Sequence, residues 1–176
     1  MTNRKSKKLK LWDFEFIGTT TSDPAGRAFA GSDAFPNYVA NLEEVASYVF
    51  RVCLGTKSVA GRVSIAAHGN TEEFHVGNDR ISLQNIDSYA TSFKKLGLLM
   101  LPGISVLELY SCQVGQNKAL LRRLSQMIGG AAVVGYEQNQ PGSGRSAGRR
   151  IKCKLKCKTF KPRKRRRKRG STKRSW

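Results

Sequence analysis

Two short motifs carry side chains suited to covalent chemistry. His68-Gly69 follows the β-branched run Arg62–Ala67, and Ser111-Cys112 follows the apolar run Ile104–Tyr110. A cysteine becomes a nucleophile as a thiolate, or with a base beside it, and acyl transfer needs donors for the developing oxyanion. His68 would take or polarise the proton of Cys112, and the backbone N–H groups of Gly69 and Cys112 would face the oxyanion. Gly69 suits that place because it has no Cβ to hold a carbonyl away. His75 and Asp79, on the hairpin that follows, are candidates for contacting substrate. With Glu72 and Glu73, Asp79 forms an acidic patch that would favour basic substrates; a solvated acidic loop fits the same residues. On residue type alone, Cys112 also fits a buried core position, and His68 a structural one.

The elements that must position these residues read as strands alternating with helices. Leu11–Ile17 alternates and carries Trp12, Phe14 and Phe16, as a strand does. Residues 18–36, rich in Gly, Ser, Thr, Asp and Pro, read as a long loop. Asn37 can cap a helix over Tyr38–Cys53, with Val39, Leu42, Val45, Ala46, Val49 and Phe50 on one face. Phe74–Val76 and Arg80–Leu83 flank Gly77-Asn78-Asp79, a hairpin signal. A helix is expected from Ser82 or Leu83 to Leu99, ended by Pro102-Gly103. Ile104–Tyr110 is the most strand-like run, and Glu108 falls within it. Asn117–Ile128 reads as a helix closed by Gly129-Gly130, and Ala131–Gly135 as a short apolar strand. The alternation predicts βαβ units, hence a mainly parallel sheet covered on both faces, in three layers. In such sheets ligands sit beyond the carboxyl ends of the strands, where His68 and Cys112 both fall.

The segments Ser64-Ile65-Ala66-Ala67-His68-Gly69-Asn70, Phe74-His75-Val76-Gly77-Asn78 and Leu107-Glu108-Leu109-Tyr110-Ser111-Cys112-Gln113-Val114 occur in that order. They are followed by Leu124 to Gly129-Gly130-Ala131-Ala132-Val133-Val134. The series resembles the caspase-like (clan CD) cysteine peptidases. It is most similar to the poorly characterised caspase-like domain found near the N-termini of large bacterial surface and adhesin-type proteins. The resemblance spans about residues 60–137. It implies a three-layer α/β fold and a cysteine endopeptidase, with His68 as general base or proton donor and Cys112 as the nucleophile that forms an acyl-enzyme. In that clan the two need not form a tight ion pair in the free enzyme. No cofactor is implied, and the partner is a peptide or protein substrate. A catalytically inactive scaffold on the same fold is the alternative.

Charge divides the chain sharply. Of 32 Lys and Arg in 176 residues, 17 lie in residues 145–176 and five in residues 1–10, with no acid in either stretch. Residues 11–144 hold 10 basic and 12 acidic residues, so the expected domain, 11–137, is slightly acidic between a basic arm (1–10) and a basic tail (138–176). Lys161, Arg163, Lys164, Arg165, Arg166, Arg167, Lys168 and Arg169 repel one another and offer no apolar surface, which predicts disorder. Such a run binds nucleic acid or another anionic surface without sequence readout. In the inactive-scaffold alternative this binding is the function. A peptidase of basic specificity would find a cleavage site in its own tail. No apolar run approaches the length of a membrane span, and no apolar signal core follows the N-terminal arm. Cys153 and Cys157 form C-x-x-x-C without two further ligands nearby, so no metal site is expected. Cys53 reads as a core residue. Reduced thiols and a cytoplasmic setting are the expectation, with nucleoid or nucleus suggested by the tail.

Overall fold

The computed structural model describes residues 9–18, 37–139, 149–154 and 157–160. The loop expected over 18–36 lies, apart from Gly18, outside them, as do Lys161–Arg169 and most of the N-terminal arm. Strand β1 (Leu11–Ile17) buries Phe14 and Phe16, as its alternation requires. It is followed by the two-residue β2 (Asn37–Tyr38), α1 (Leu42–Thr56) and β3 (Val59–Ala66). The hairpin comprises β4 (Glu73–Val76) and β5 (Asp79–Ser82). A 3₁₀ turn (Ile86–Tyr89) leads into α2 (Ala90–Gly97), then β6 (Val106–Tyr110). A second 3₁₀ turn (Val114–Gln116), α3 (Lys118–Met127) and β7 (Ala132–Tyr136) follow. The last strands are β8 (Arg150–Cys153) and β9 (Cys157–Phe160).

Among the described residues the main sheet has seven strands in the order β2-β1-β3-β6-β7-β8-β9. Pairing is parallel from β2 through β7 and antiparallel for β8 and β9. The fold is therefore mixed α/β with a mostly parallel sheet. One face carries Phe14, Phe16, Val63, Ile65, Leu107, Leu109, Val133 and Ile151, which share a continuous apolar core with all three described helices. Leu42, Val45, Val49, Phe93, Leu96, Leu120, Leu121 and Leu124 are the helical side of that core.

Four sequence expectations change. The first helix begins at Leu42, because Asn41, in extended backbone, accepts the Glu44 N–H at 2.9 Å and caps it. Asn37 instead joins β2 and donates through Nδ2 to the Glu15 carbonyl. The helix expected from Ser82 is delayed to Ala90. Asn85 accepts the Ser82 N–H at 2.8 Å and donates to the Arg80 carbonyl at 2.8 Å, so a side-chain-bonded turn replaces the first helical turns. The domain does not end at 137, since β8 and β9 extend the sheet to Phe160 and place Ile151 and Cys153 in the core. Residues 150–153 and 157–160 are thus sheet, where the sequence predicted a disordered tail. Cys153 is also disulfide-bonded, against the expected reduced thiols, and its register partner in the hairpin is Cys157.

Candidate active site

Parallel pairing of β3 with β6 fixes the first feature of the site. Ala66 is opposite Tyr110, and the Ala67 N–H donates to the Tyr110 carbonyl at 3.3 Å. His68 and Cys112 each follow this last pair by two residues, just beyond the carboxyl ends of the two neighbouring strands. His68 is exposed and Cys112 half-buried. Gly69 then packs directly on the start of the second motif: a Cβ built on it would stand 2.9 Å from the Ser111 Cβ. Only glycine leaves room for that approach.

The hairpin holds the His68 loop from the other side. Gly69 bridges Phe74, and the two bonds of that bridge run from His75 N–H to the His68 carbonyl and from Asn70 N–H to the Glu73 carbonyl, both 2.9 Å. Gly69 is the non-bonded member of the pair, so its own N–H points away from β4. The His75 ring lies edge-on to His68 with centroids 6.5 Å apart, and its Nε2 is 3.0 Å from a Glu73 carboxylate oxygen. The hairpin turn needs Gly77, whose φ is +60° and whose missing Cβ leaves room for the Ala40 carbonyl. Asp79 accepts the Leu42 N–H at 2.8 Å, tying the hairpin to the start of α1. The acidic patch is thus partly committed within the fold: Glu73 to His75, and Asp79 to the α1 backbone.

On the far side of Cys112 lies machinery that sequence reading missed. Gln113 has φ +57°, in the left-handed region that a non-glycine residue enters only at a cost. Its N–H donates to the Gln138 carbonyl at 3.2 Å and its amide to Asn139 at 3.0 Å. Gln116 donates to the Glu137 carbonyl at 2.8 Å. Gly115 sits so close to the end of β7 that a Cβ there would be 2.7 Å from the Tyr136 carbonyl carbon. A cleft of about 450 Å³ opens beside this turn, lined by Gln116, Lys118, Glu137, Gln138 and Arg149. Gly115 and Gly135 were the available signals, since each is needed for close backbone approach.

Two buried polar groups complete the surroundings. Ser111 Oγ is fully buried and makes no hydrogen bond among the described residues. Glu108, in the middle of β6, is 2 % exposed. It accepts the Tyr136 hydroxyl at 2.7 Å and pairs with Arg150 at 3.3 Å and Arg62 at 3.6 Å. The carboxylate between Leu107 and Leu109 was the sequence signal, because a strand interior accepts a charge only when it is paired. Among the described residues no cluster of His, Cys, Asp and Glu could hold a metal ion, and no helix is long and apolar enough to cross a membrane.

Residues 39–148 match the family described as a domain of unknown function, DUF4347. No curated protein and no solved structure matches the chain.

Proposed function

The chain belongs to the DUF4347 family, and from its own site we propose a cysteine endopeptidase of caspase-like type, built on a mixed α/β domain with a mostly parallel sheet. The supporting observation is the β3–β6 register, whose last pair, Ala66 and Tyr110, precedes His68 and Cys112 by two residues each at the carboxyl edge of the sheet. Cys112 gives its thiol proton to His68, and the sulfur attacks the scissile carbonyl carbon. The carbonyl oxygen takes the negative charge and is met by the N–H groups of Gly69 and Cys112. Collapse breaks the C–N bond, His68 delivers its proton to the leaving amine, and a thioester remains on Cys112. Water, deprotonated by His68, then hydrolyses the thioester and regenerates the thiol.

The test is the rate at which Cys112 reacts with iodoacetamide or a peptidyl acyloxymethyl ketone at neutral pH. Fast labelling that is lost in His68→Ala supports the dyad; labelling at the rate of an ordinary thiol overturns it. A second reading, polyanion binding, is favoured by the 17 Lys and Arg of residues 145–176. It requires that truncation after residue 160 abolish salt-dependent nucleic-acid binding.

A further inference from the structure

We propose that Glu108 is a positioning residue, holding the strained turn after Cys112 through the ends of β7 and β8; its catalytic consequence rests on the dyad reading above. A mid-strand carboxylate needs a reason. Its Oε2 accepts no hydrogen bond, and Arg150 Nε is buried without one. An apolar residue in a sheet of this kind would avoid the desolvation, and a buried ion pair is poor evidence of stability for its own sake.

What Glu108 does supply is a fixed point for two strand ends. Tyr136, the last residue of β7, donates to it and stacks on Tyr110 with centroids 5.4 Å apart. Arg150, the first residue of β8, is the register partner of Tyr136 and pairs with the same carboxylate. Between them, the Glu137 N–H donates to the Arg149 carbonyl at 3.0 Å and closes the two strands together. The Gln113 clamp hangs from the next residues, Gln138 and Asn139, and Gly115 is wedged against Tyr136 itself. A left-handed Gln113 persists only while its surroundings over-determine it. Those surroundings are anchored on Glu108, so its loss loosens the turn that presents Cys112.

The charged and titratable groups around this carboxylate come from every neighbouring strand. They are Glu15 of β1, Arg62 of β3, Tyr110 of β6, Tyr136 of β7, and Arg150 and Lys152 of β8. Burial pushes the Tyr110 phenol up and the Lys152 ammonium down. The anchor is therefore a mixed-charge cluster, not a lone acid.

The full chain carries the test, as wild type, Glu108→Gln and Tyr136→Phe. Two properties are followed: hydrogen exchange of the Gln113 amide, and the pH profile of Cys112 labelling by iodoacetamide. Both variants are expected to melt cooperatively while the Gln113 amide exchanges about fivefold faster, the worth of one hydrogen bond. Labelling is expected to fall by about tenfold, with its profile moving toward that of an ordinary thiol. Folded variants with wild-type exchange and labelling overturn the proposal. Should Glu108→Gln fail to fold, Tyr136→Phe decides, because it removes one hydroxyl and leaves the stacked ring. Faster exchange at Gln113, with wild-type Cys112 reacting as an ordinary thiol throughout, supports the clamp and overturns the dyad instead.

Discussion

The two faces of the main sheet are built from the same strands on different principles. One carries Phe14, Phe16, Val63, Ile65, Leu107 and Leu109 against the helices, and its stability comes from removing apolar surface from water. The other alternates with it and carries Glu15, Arg62, Glu108 and Arg150, together with Tyr110 and Tyr136. Its order comes from ion pairs to Glu108, the Tyr136 hydroxyl bond and the stacked tyrosines. The apolar face tolerates small changes of shape by repacking. The charged face does not, because removing one partner leaves another buried and unpaired. The proposed thiol site stands at the rim of both.

This contrast predicts a ranking of mutational costs. Phe16→Ala removes a fully buried ring that packs edge-on against Tyr48, with centroids 5.7 Å apart. It should cost about 3–5 kcal/mol in urea unfolding. A cost below that of an exposed substitution would mean that the apolar face does not carry the fold.

Glu108→Ala should come next, at about 2 kcal/mol, below the usual figure for a broken buried pair because both arginines reach solvent. The comparison is sharpened by Glu108→Leu combined with Arg150→Met. If the charged face serves position more than stability, the double variant should melt at or above the temperature of Glu108→Ala while the Gln113 amide stays poorly protected. Restored protection at Gln113 would show that shape alone, without charge, holds the turn.

The same contrast explains what the sequence could reveal. β1, β6 and β7 were readable because alternation or continuous apolarity reports burial directly, and His68 and Cys112 were readable as residues at strand ends. Gly77 announced its turn, since its φ of +60° is a local demand. Asn37 and Asn41 are both good caps, and the choice between them was made at a distance, by the pairing of β2 with β1. β8 and β9 were invisible because Arg150, Lys152, Lys154 and Lys158 suggest a solvated run. The partners of β8 are the β7 backbone and, through Arg150, the Glu108 carboxylate, both distant in sequence, and β9 in turn pairs with β8. Gln113 gave no sign of its left-handed backbone, because the bonds that enforce it come from Gln138 and Asn139. Contacts within a strand or turn were legible; contacts between ends of distant strands were not.

Asn41→Ala lies lower in the ranking. It deletes the acceptor for the Glu44 N–H at the start of α1 and leaves the apolar face untouched, so a loss of about 1 kcal/mol is expected by thermal melting. A loss as large as that of Phe16→Ala would indicate that the cap also sets the hairpin, through the Leu42–Asp79 bond beside it.

The smallest effects are those of pH, and they have opposite signs in the two regions. Glu43, on α1, is held down to about 2 by hydrogen bonds from Lys95, Ser92 and Ser47. Its folded-state value lies below the ordinary 4.5, so its contribution is present above that ordinary value and lost as the pH falls toward about 2. Glu15, on the charged face, is pushed up, chiefly by burial, with Arg62 opposing. Its ionised form is the penalised one, so folding gains as the pH falls through its raised value. Glu43→Gln should therefore flatten the acid limb of a stability-against-pH curve, and Glu15→Gln should raise stability near neutrality while leaving that limb in place. Both carboxylates are partly solvated, and each change is expected to be small. If the two variants shift the curve in the same direction, burial on the charged face is not penalising the ionised Glu15.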